Sequence, residues 1–226
     1  MIRLDKYISN LGFLARSKVR PYMKRYEVLV NGVLATSSDQ KISYGDVITF
    51  GGEEIEVREF ITILIHKPAG YVSSDVPEAG YPSYRELLNG CPYVHMLHVA
   101  GRLDQDTEGL LLASNDGWLI HRVISPKKKF PKVYFVSLWK AISDTSIALL
   151  ESGVELDGGD ITLPAQIERI DEKTIRLTLY EGKFHQVKRM MEAVDNKVVY
   201  LKRESIGDWT LDGLQKGQWK YVNDLL

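Results

Sequence analysis

Apolar residues in the first sixty positions recur first at helical and then at strand spacing. Leu4, Ile8 and Leu11 share one helical face, and after a break at Gly12 the Val19/Met23 pair predicts a second short helix. Pro21 lacks the amide proton that a helix interior uses, so the second helix is expected to start or kink there. Val28-Leu29-Val30, the pair Asn31-Gly32 and Val33-Leu34 predict a hairpin, because Asn-Gly accepts the positive φ of a tight turn. Val47 to Phe50, after the turn-like Tyr44-Gly45-Asp46, reads as a further strand. These elements make an αα-plus-β module that ends near the acidic run Glu53 to Glu59.

Beyond it the pattern is mixed. Ile61 to His66 predicts a buried strand and Tyr84 to Leu88 a short helix. Tyr134 to Leu138 alternates, as do Ile175, Leu177 and Leu179, which is the spacing of half-buried strands. Phe184, Val187, Met191 and Val194 recur at helical spacing, and a strand is expected over Val198 to Leu201. Met190 and Met191 read as core filler. No fixed-period repeat is present. The order lacks the strand-helix alternation of a doubly wound sheet, so the expected class is α+β.

The 226 residues, 44% apolar and 26% charged, suit a globular protein with either one large domain or a small one beside a medium one. The single cysteine, Cys91, excludes an intramolecular disulfide and a cysteine-rich metal site, and fits a reducing compartment. Arg3, Asp5 and Lys6 open the chain with no apolar stretch behind them, and Phe60 to Ile65 is too short to span a bilayer. A cytoplasmic location with no membrane association is expected.

Net charge is -1, which would argue against a polyanionic partner if charges were evenly spread. They are not. Residues 1–26 hold seven cations against Asp5 alone, whereas residues 27–60 hold two cations against seven acids. Six cations and no acid lie between Gly117 and Ser143, and six more face only Glu192 and Asp195 between Gly182 and Arg203.

Those two basic stretches bracket the densest polar cluster, Gly101 to Gly109. Asp104, Asp106, Glu108 and Gly109 match positions one, three, five and six of a calcium loop, but Asn115 stands where the bidentate Glu belongs. Glycoside hydrolysis also uses paired carboxylates, yet no aromatic sugar platform accompanies these. The acids could simply cap a turn. A carboxylate between two basic stretches suits a polyanionic substrate, since cations hold phosphates while the acid does the chemistry. His66, His95, His98, His121 and His185 have no metal-like spacing, and no metal is expected.

RLDKYI, the basic second helix and VLVNGVLA resemble the S4-like RNA-binding module. That resemblance implies a basic face on RNA backbone, with Arg3, Lys6, Arg16, Lys18 and Arg20 as contacts. GRLDQDTEGLLLASNDG resembles the signature of the RsuA-type pseudouridine synthases. The family's other motifs follow in order: KPAGYVSS at Lys67 to Ser74, KVYFV at Lys132 to Val136, EGKFHQVKRM at Glu181 to Met190 and VVYLKRESIG at Val198 to Gly207.

The family resemblance implies an S4-like domain at 1–59 and a catalytic domain at 60–226 built on a mixed, largely antiparallel sheet. It implies Asp104 as the catalytic carboxylate, Tyr134 packing on the base and Lys188 pairing with Asp104. Leu201 would line the base pocket and Arg102 would contact RNA near a displaced nucleotide. Lys132 and Arg189 are expected as further substrate contacts, Lys127, Lys128 and Lys129 as RNA contacts, and His185 and Gln186 as ordering the loop near Lys188. The implied reaction turns one uridine of small-subunit (16S) ribosomal RNA, free or in an assembly intermediate, into pseudouridine, by a monomer without cofactor. His66, Ala113-Ser114 and Pro131 depart from the common pattern, which bears on substrate choice. A non-catalytic RNA-binding or assembly factor is the alternative. A fragment beginning at Ile61 is expected to stay folded yet lose RNA affinity.

Overall fold

The structure is a computed structural model and describes residues 1–222. At the N-terminus β1 (Ile2–Arg3) leads into α1 (Leu4–Asn10), which buries Leu4, Tyr7 and Ile8, with Leu11 following. In α2 (Arg16–Met23) Pro21 neither starts nor breaks the helix. It sits in the last turn, where its missing amide leaves only the Ser17 carbonyl unserved before the helix ends. β2 (Val28–Val30) and β3 (Val33–Leu34) form the expected hairpin, with Asn31 at φ 51 and Gly32 at φ 76.

β4 (Lys41–Ile42) pairs with β1, while β5 (Val47–Phe50) pairs with β2 and with β6 (Glu53–Glu56). The acidic run thus contains the last strand of the module: Ile55 turns inward and the three glutamates face water. Like charges along an edge strand discourage pairing with another chain.

The remainder is built on one nine-stranded sheet. Its elements are β7 (Thr62–Lys67), β8 (His98–Val99), β9 (Glu108–Ser114), α3 (Gly117–Ile124), β10 (Lys132–Leu138), α4 (Asp144–Ser152), β11 (Gln166–Arg169) and β12 (Thr174–Leu179). α5 (Gln186–Ala193), β13 (Val198–Ile206), β14 (Trp209–Thr210) and β15 (Trp219–Tyr221) follow. Strand order is β11-β12-β10-β13-β9-β7-β15, with β14 on β13 and β8 on β9. Every pairing is antiparallel except β13 with β9. At that junction Arg203 lies opposite Gly109, whose φ is 115 and whose added Cβ would overlap the Arg203 backbone. Glycine is required there by both conformation and space.

Three expectations shift in detail. Tyr84–Leu87 is a 3-10 turn, the strand beginning at Val198 runs on to Ile206, and Phe184 lies outside α5 and faces solvent.

The N-terminal module does not hang from a free tether. One apolar cluster runs from Leu4 through Ile55 and Ile63 to Leu201, and Val57 and Ile61 in the join are buried. Tyr7 Oη accepts from the Arg58 amide at 2.8 Å, and Tyr93 Oη donates to the Glu56 carbonyl at 2.8 Å. Asn115 holds the join from the other side, accepting from the Ile61 amide at 2.7 Å and donating to the Glu59 carbonyl at 2.9 Å.

Candidate active site

Asp104 lies in the loop that enters β9, and that loop is tied down by the segment after β7. Ser73 Oγ accepts from the Leu103 amide at 3.0 Å and donates to the Leu103 carbonyl at 2.8 Å. The Gly70 amide donates to the Gln105 carbonyl at 2.8 Å, and the Thr107 amide closes a turn on the Asp104 carbonyl at 3.1 Å. Lys67, fully buried at the end of β7, donates to the carbonyls of Pro68 at 3.0 Å and Tyr71 at 2.7 Å. Burial pushes its ammonium down to about 8, against the pull of Asp106, Asp104 and Glu108. The residues either side of Asp104 are thus fixed by backbone bonds, which leaves its side chain aimed and 26% exposed.

Lys188, in the first turn of α5, meets that carboxylate: its Nζ is 3.0 Å from Asp104 Oδ2. The same ammonium donates to both oxygens of Asp106, at 2.7 and 2.9 Å. Burial works against its charge, but the bonds to Asp106 and Asp104 outweigh it and hold Lys188 above its ordinary value. His185 Nε2 approaches the other Asp104 oxygen at 3.5 Å. The third acid of the cluster is engaged elsewhere. Glu108 accepts from Lys216 and from Tyr200 Oη, both at 2.7 Å, and these bonds hold its carboxyl below the usual range despite burial.

Tyr134 on β10 is buried, as is Leu201 on the adjacent β13. The register pairs Tyr134 with Arg203 and Val136 with Leu201, which puts all four on one face of the sheet, beside the strand that the Asp104 loop enters. Arg203 is 1% exposed, donates from Nε to the Leu110 carbonyl at 2.7 Å, and carries its guanidinium carbon 6.0 Å from the Tyr134 ring centroid. Arg102 is largely exposed, with a loose 3.5 Å approach to Glu78, and is free to reach outward.

Two expected substrate contacts sit differently. The Lys132 ammonium is buried, donating to the carbonyls of Val123 at 3.0 Å and Phe130 at 3.3 Å, and burial together with Arg203 pushes it down to about 8. It ties α3 to β10. Arg189 is engaged as well: it pairs with the Asp157 carboxylate and donates to the Asp157 and Phe184 carbonyls. The spacing that puts Lys188 at the carboxylate turns its neighbour by about 100° around the helix.

Of the basic residues expected on RNA, Lys6, Lys18 and Arg20 are exposed, and so are Lys127, Lys128 and Lys129 around the Pro126–Lys128 turn. Arg3 and Arg16 share Asp5, at 2.8 and 3.2 Å, and the bond from Arg3 keeps that carboxyl low despite burial. Among the described residues no group of three or more His, Cys, Asp or Glu is arranged to hold a metal ion.

Lys67, Ser73 and Asp106 had no assigned role in the sequence reading. A signal for Lys67 was present: a lysine closing an otherwise apolar strand, followed by proline, is a candidate for burial. Nothing in the spacing shows that Asp106 shares Lys188.

Fold and site together define an enzyme that brings one carboxylate, backed by a shared ammonium, to a polyanion. A family profile described as RNA pseudouridylate synthase matches residues 61–193, and an S4 domain profile matches residues 2–48. The chain is 40% identical over 225 residues to the ribosomal small subunit pseudouridine synthase A of Vibrio parahaemolyticus, covering 98% of this chain and 96% of that protein. It is 39% identical to the RNA pseudouridine synthase YtzG of Bacillus subtilis, covering 99% of this chain and 95% of that one. A solved pseudouridylate synthase crystal structure superposes with a TM-score of 0.68 at 37% identity, covering 98% and 96% of the two chains. The chain belongs to the RNA pseudouridylate synthase family. It is an RNA-modifying isomerase of the RsuA type with an S4 domain at its N-terminus, and no helix among the described residues is long and apolar enough to cross a membrane.

Proposed function

We propose that this protein converts one uridine of small-subunit (16S) ribosomal RNA, free or within an assembly intermediate, into pseudouridine. Asp104 is the catalytic carboxylate, with Lys188 beside it and Tyr134 as the aromatic residue that packs on the base. The observation that carries the reading is the Lys188 ammonium 3.0 Å from Asp104 Oδ2, on a loop pinned by Ser73 and the Gly70 amide. The name of the Vibrio parahaemolyticus relative points to the small-subunit target.

A base inside a helix must first be turned out, because no side chain can reach its sugar within the stack. Arg102, exposed at the loop, is placed to contact the opened strand. Tyr134 and Leu201 offer the everted uracil an aromatic and an aliphatic wall. The Asp104 carboxylate then either attacks the anomeric carbon or removes a ribose proton, and the bond from sugar to ring nitrogen breaks. Uracil rotates and rejoins through a ring carbon; that carbon loses a proton and the freed nitrogen gains one. Electrons balance within the nucleotide, so the proposal includes no redox cofactor. Lys188 pairs with the carboxylate and holds it aimed.

The basic S4-like part, residues 1–59, would hold RNA backbone through Arg3, Lys6, Arg16, Lys18 and Arg20, while residues 60–226 carry the chemistry; Lys127, Lys128 and Lys129 would add contacts. With ribosomal RNA as substrate the site of action is the cytoplasm, and a monomer is the proposed form, since Asp104 and Lys188 come from one chain. The test is to incubate the protein with 16S transcript and with small-subunit assembly intermediates and map pseudouridine. Conversion at one position supports the reading, and unmodified RNA in both, at stoichiometric protein, would defeat it.

A further inference from the structure

Beside Asp104 the chain exposes an aromatic surface for which the reaction above has no use. Phe184 is 75% exposed. One face of its ring stacks on the His185 imidazole, with centroids 3.8 Å apart and planes inclined by 21°, and the other face is open. Because His185 Nε2 lies 3.5 Å from Asp104 Oδ1, the stack forms part of the rim of the carboxylate site.

The outward placement is imposed by the chain. His185 has φ 46, a left-handed backbone conformation that a residue with a side chain keeps only where its surroundings over-determine it. Those surroundings are Glu181 and Gln186, both buried. Gln186 Nε2 donates to Glu181 Oε1 at 2.7 Å, Gln186 Oε1 accepts from the Lys183 amide at 2.8 Å, and the Leu163 amide also donates to Glu181 Oε1 at 2.8 Å. With both ends of the segment anchored below the surface, Phe184 and His185 are held out. Folding alone gives no reason for this, since a buried phenylalanine stabilises and an exposed one does not. Lys183, next to Phe184 in the chain and partly exposed with its ammonium 3.6 Å from Asp160, adds positive charge near the stack, while the Lys188 ammonium is engaged by Asp104 and Asp106.

We propose that the Phe184–His185 stack is a subsite for a nucleobase adjacent to the target, holding the strand while the target nucleotide occupies the Asp104 site. The proposal rests on the functional reading above for the nature of the ligand, RNA. A nucleotide that leaves its stack strips one face from each neighbouring base, and the open face of Phe184 replaces that lost partner. Stacking of this kind accepts any base, because every base has a π-face. Charge from Lys183 suits a phosphate of that strand.

The test compares equilibrium binding of a short oligouridylate with that of an abasic chain of equal length and charge. Wild type prefers the oligouridylate. Phe184→Ala is expected to cut that preference about tenfold, Phe184→Tyr to restore it, and Lys183→Ala to weaken both ligands equally. A wild-type preference retained by Phe184→Ala, or no rescue by Phe184→Tyr, overturns the subsite. Pseudouridine formation by the wild type is scored separately on ribosomal RNA. Its absence defeats the functional reading, while the base preference still decides the subsite.

Discussion

At Lys188 a single ammonium serves two carboxylates, and the division matters for catalysis. Asp106 takes the shorter bonds and, with Asp104, holds the lysine protonated above its ordinary value. Asp106→Asn removes that support, so Lys188 loses its proton at lower pH, and the alkaline limb of the pH–rate profile moves down. A profile of kcat/KM against pH for the two proteins checks this; superimposable alkaline limbs contradict it. Lys67 acts in the opposite sense. Its folded value of about 8 lies below the ordinary 10.5, so its charge opposes folding at neutral pH and that penalty is relieved as pH rises through this window. Lys67→Met strands the carbonyls of Pro68 and Tyr71, and should destabilise by about 2 kcal/mol. The wild type should gain stability over the variant from about pH 8 toward 10.5, with no such gain below; denaturant midpoints across that range provide the measurement. Asp104 and Lys188 were legible in the sequence through the motifs that contain them. The carbonyl bonds of Lys132 and the Asp157 pair of Arg189 were not legible, because a motif states which residues recur, while the direction of a side chain depends on strand register and helical phase.

At the scale of elements, β9 is where the sheet changes from antiparallel to parallel pairing, and it enters that junction directly from the Asp104 loop. Gly109 permits the approach of Arg203, so Gly109→Ala should cost about 3 kcal/mol and displace Asp104 as β9 shifts. Thermal unfolding and activity of the variant test both, and a protein as stable and active as wild type would contradict the packing argument. The strands with alternating apolar residues were legible, as was the Asn31-Gly32 hairpin, because side-chain periodicity and turn chemistry are local. Strand order was not, since the pairing of β13 with β9 joins residues more than ninety positions apart. The acidic strand β6 was hidden because three exposed glutamates outweigh the one inward Ile55.

For the molecule as a whole, two basic surfaces and one carboxylate are joined by a shared core. The cluster linking Leu4 to Leu201, and the Tyr93 bond to the Glu56 carbonyl, mean that a fragment beginning at Ile61 would lose part of the cover over its core, so its melting temperature should fall well below that of the full chain. RNA binding by the module is better tested in the intact protein. Replacing Lys6, Lys18 and Arg20 by Ala should lower the slope of log affinity against log salt by about 2, at roughly 0.7 per phosphate contact on single-stranded RNA; an unchanged slope would remove this face from the interface. Charge blocks along the sequence indicated a polyanion even at a net charge of -1, but the buried join between the two parts was not visible in them.

The central claim is that the Asp104 carboxylate performs the isomerisation, and Asp104→Asn tests it almost without changing shape. In a single turnover with excess enzyme over ribosomal RNA, the variant should bind the RNA and form no pseudouridine while the wild type converts its site. Conversion by the variant at the wild-type rate would contradict the account.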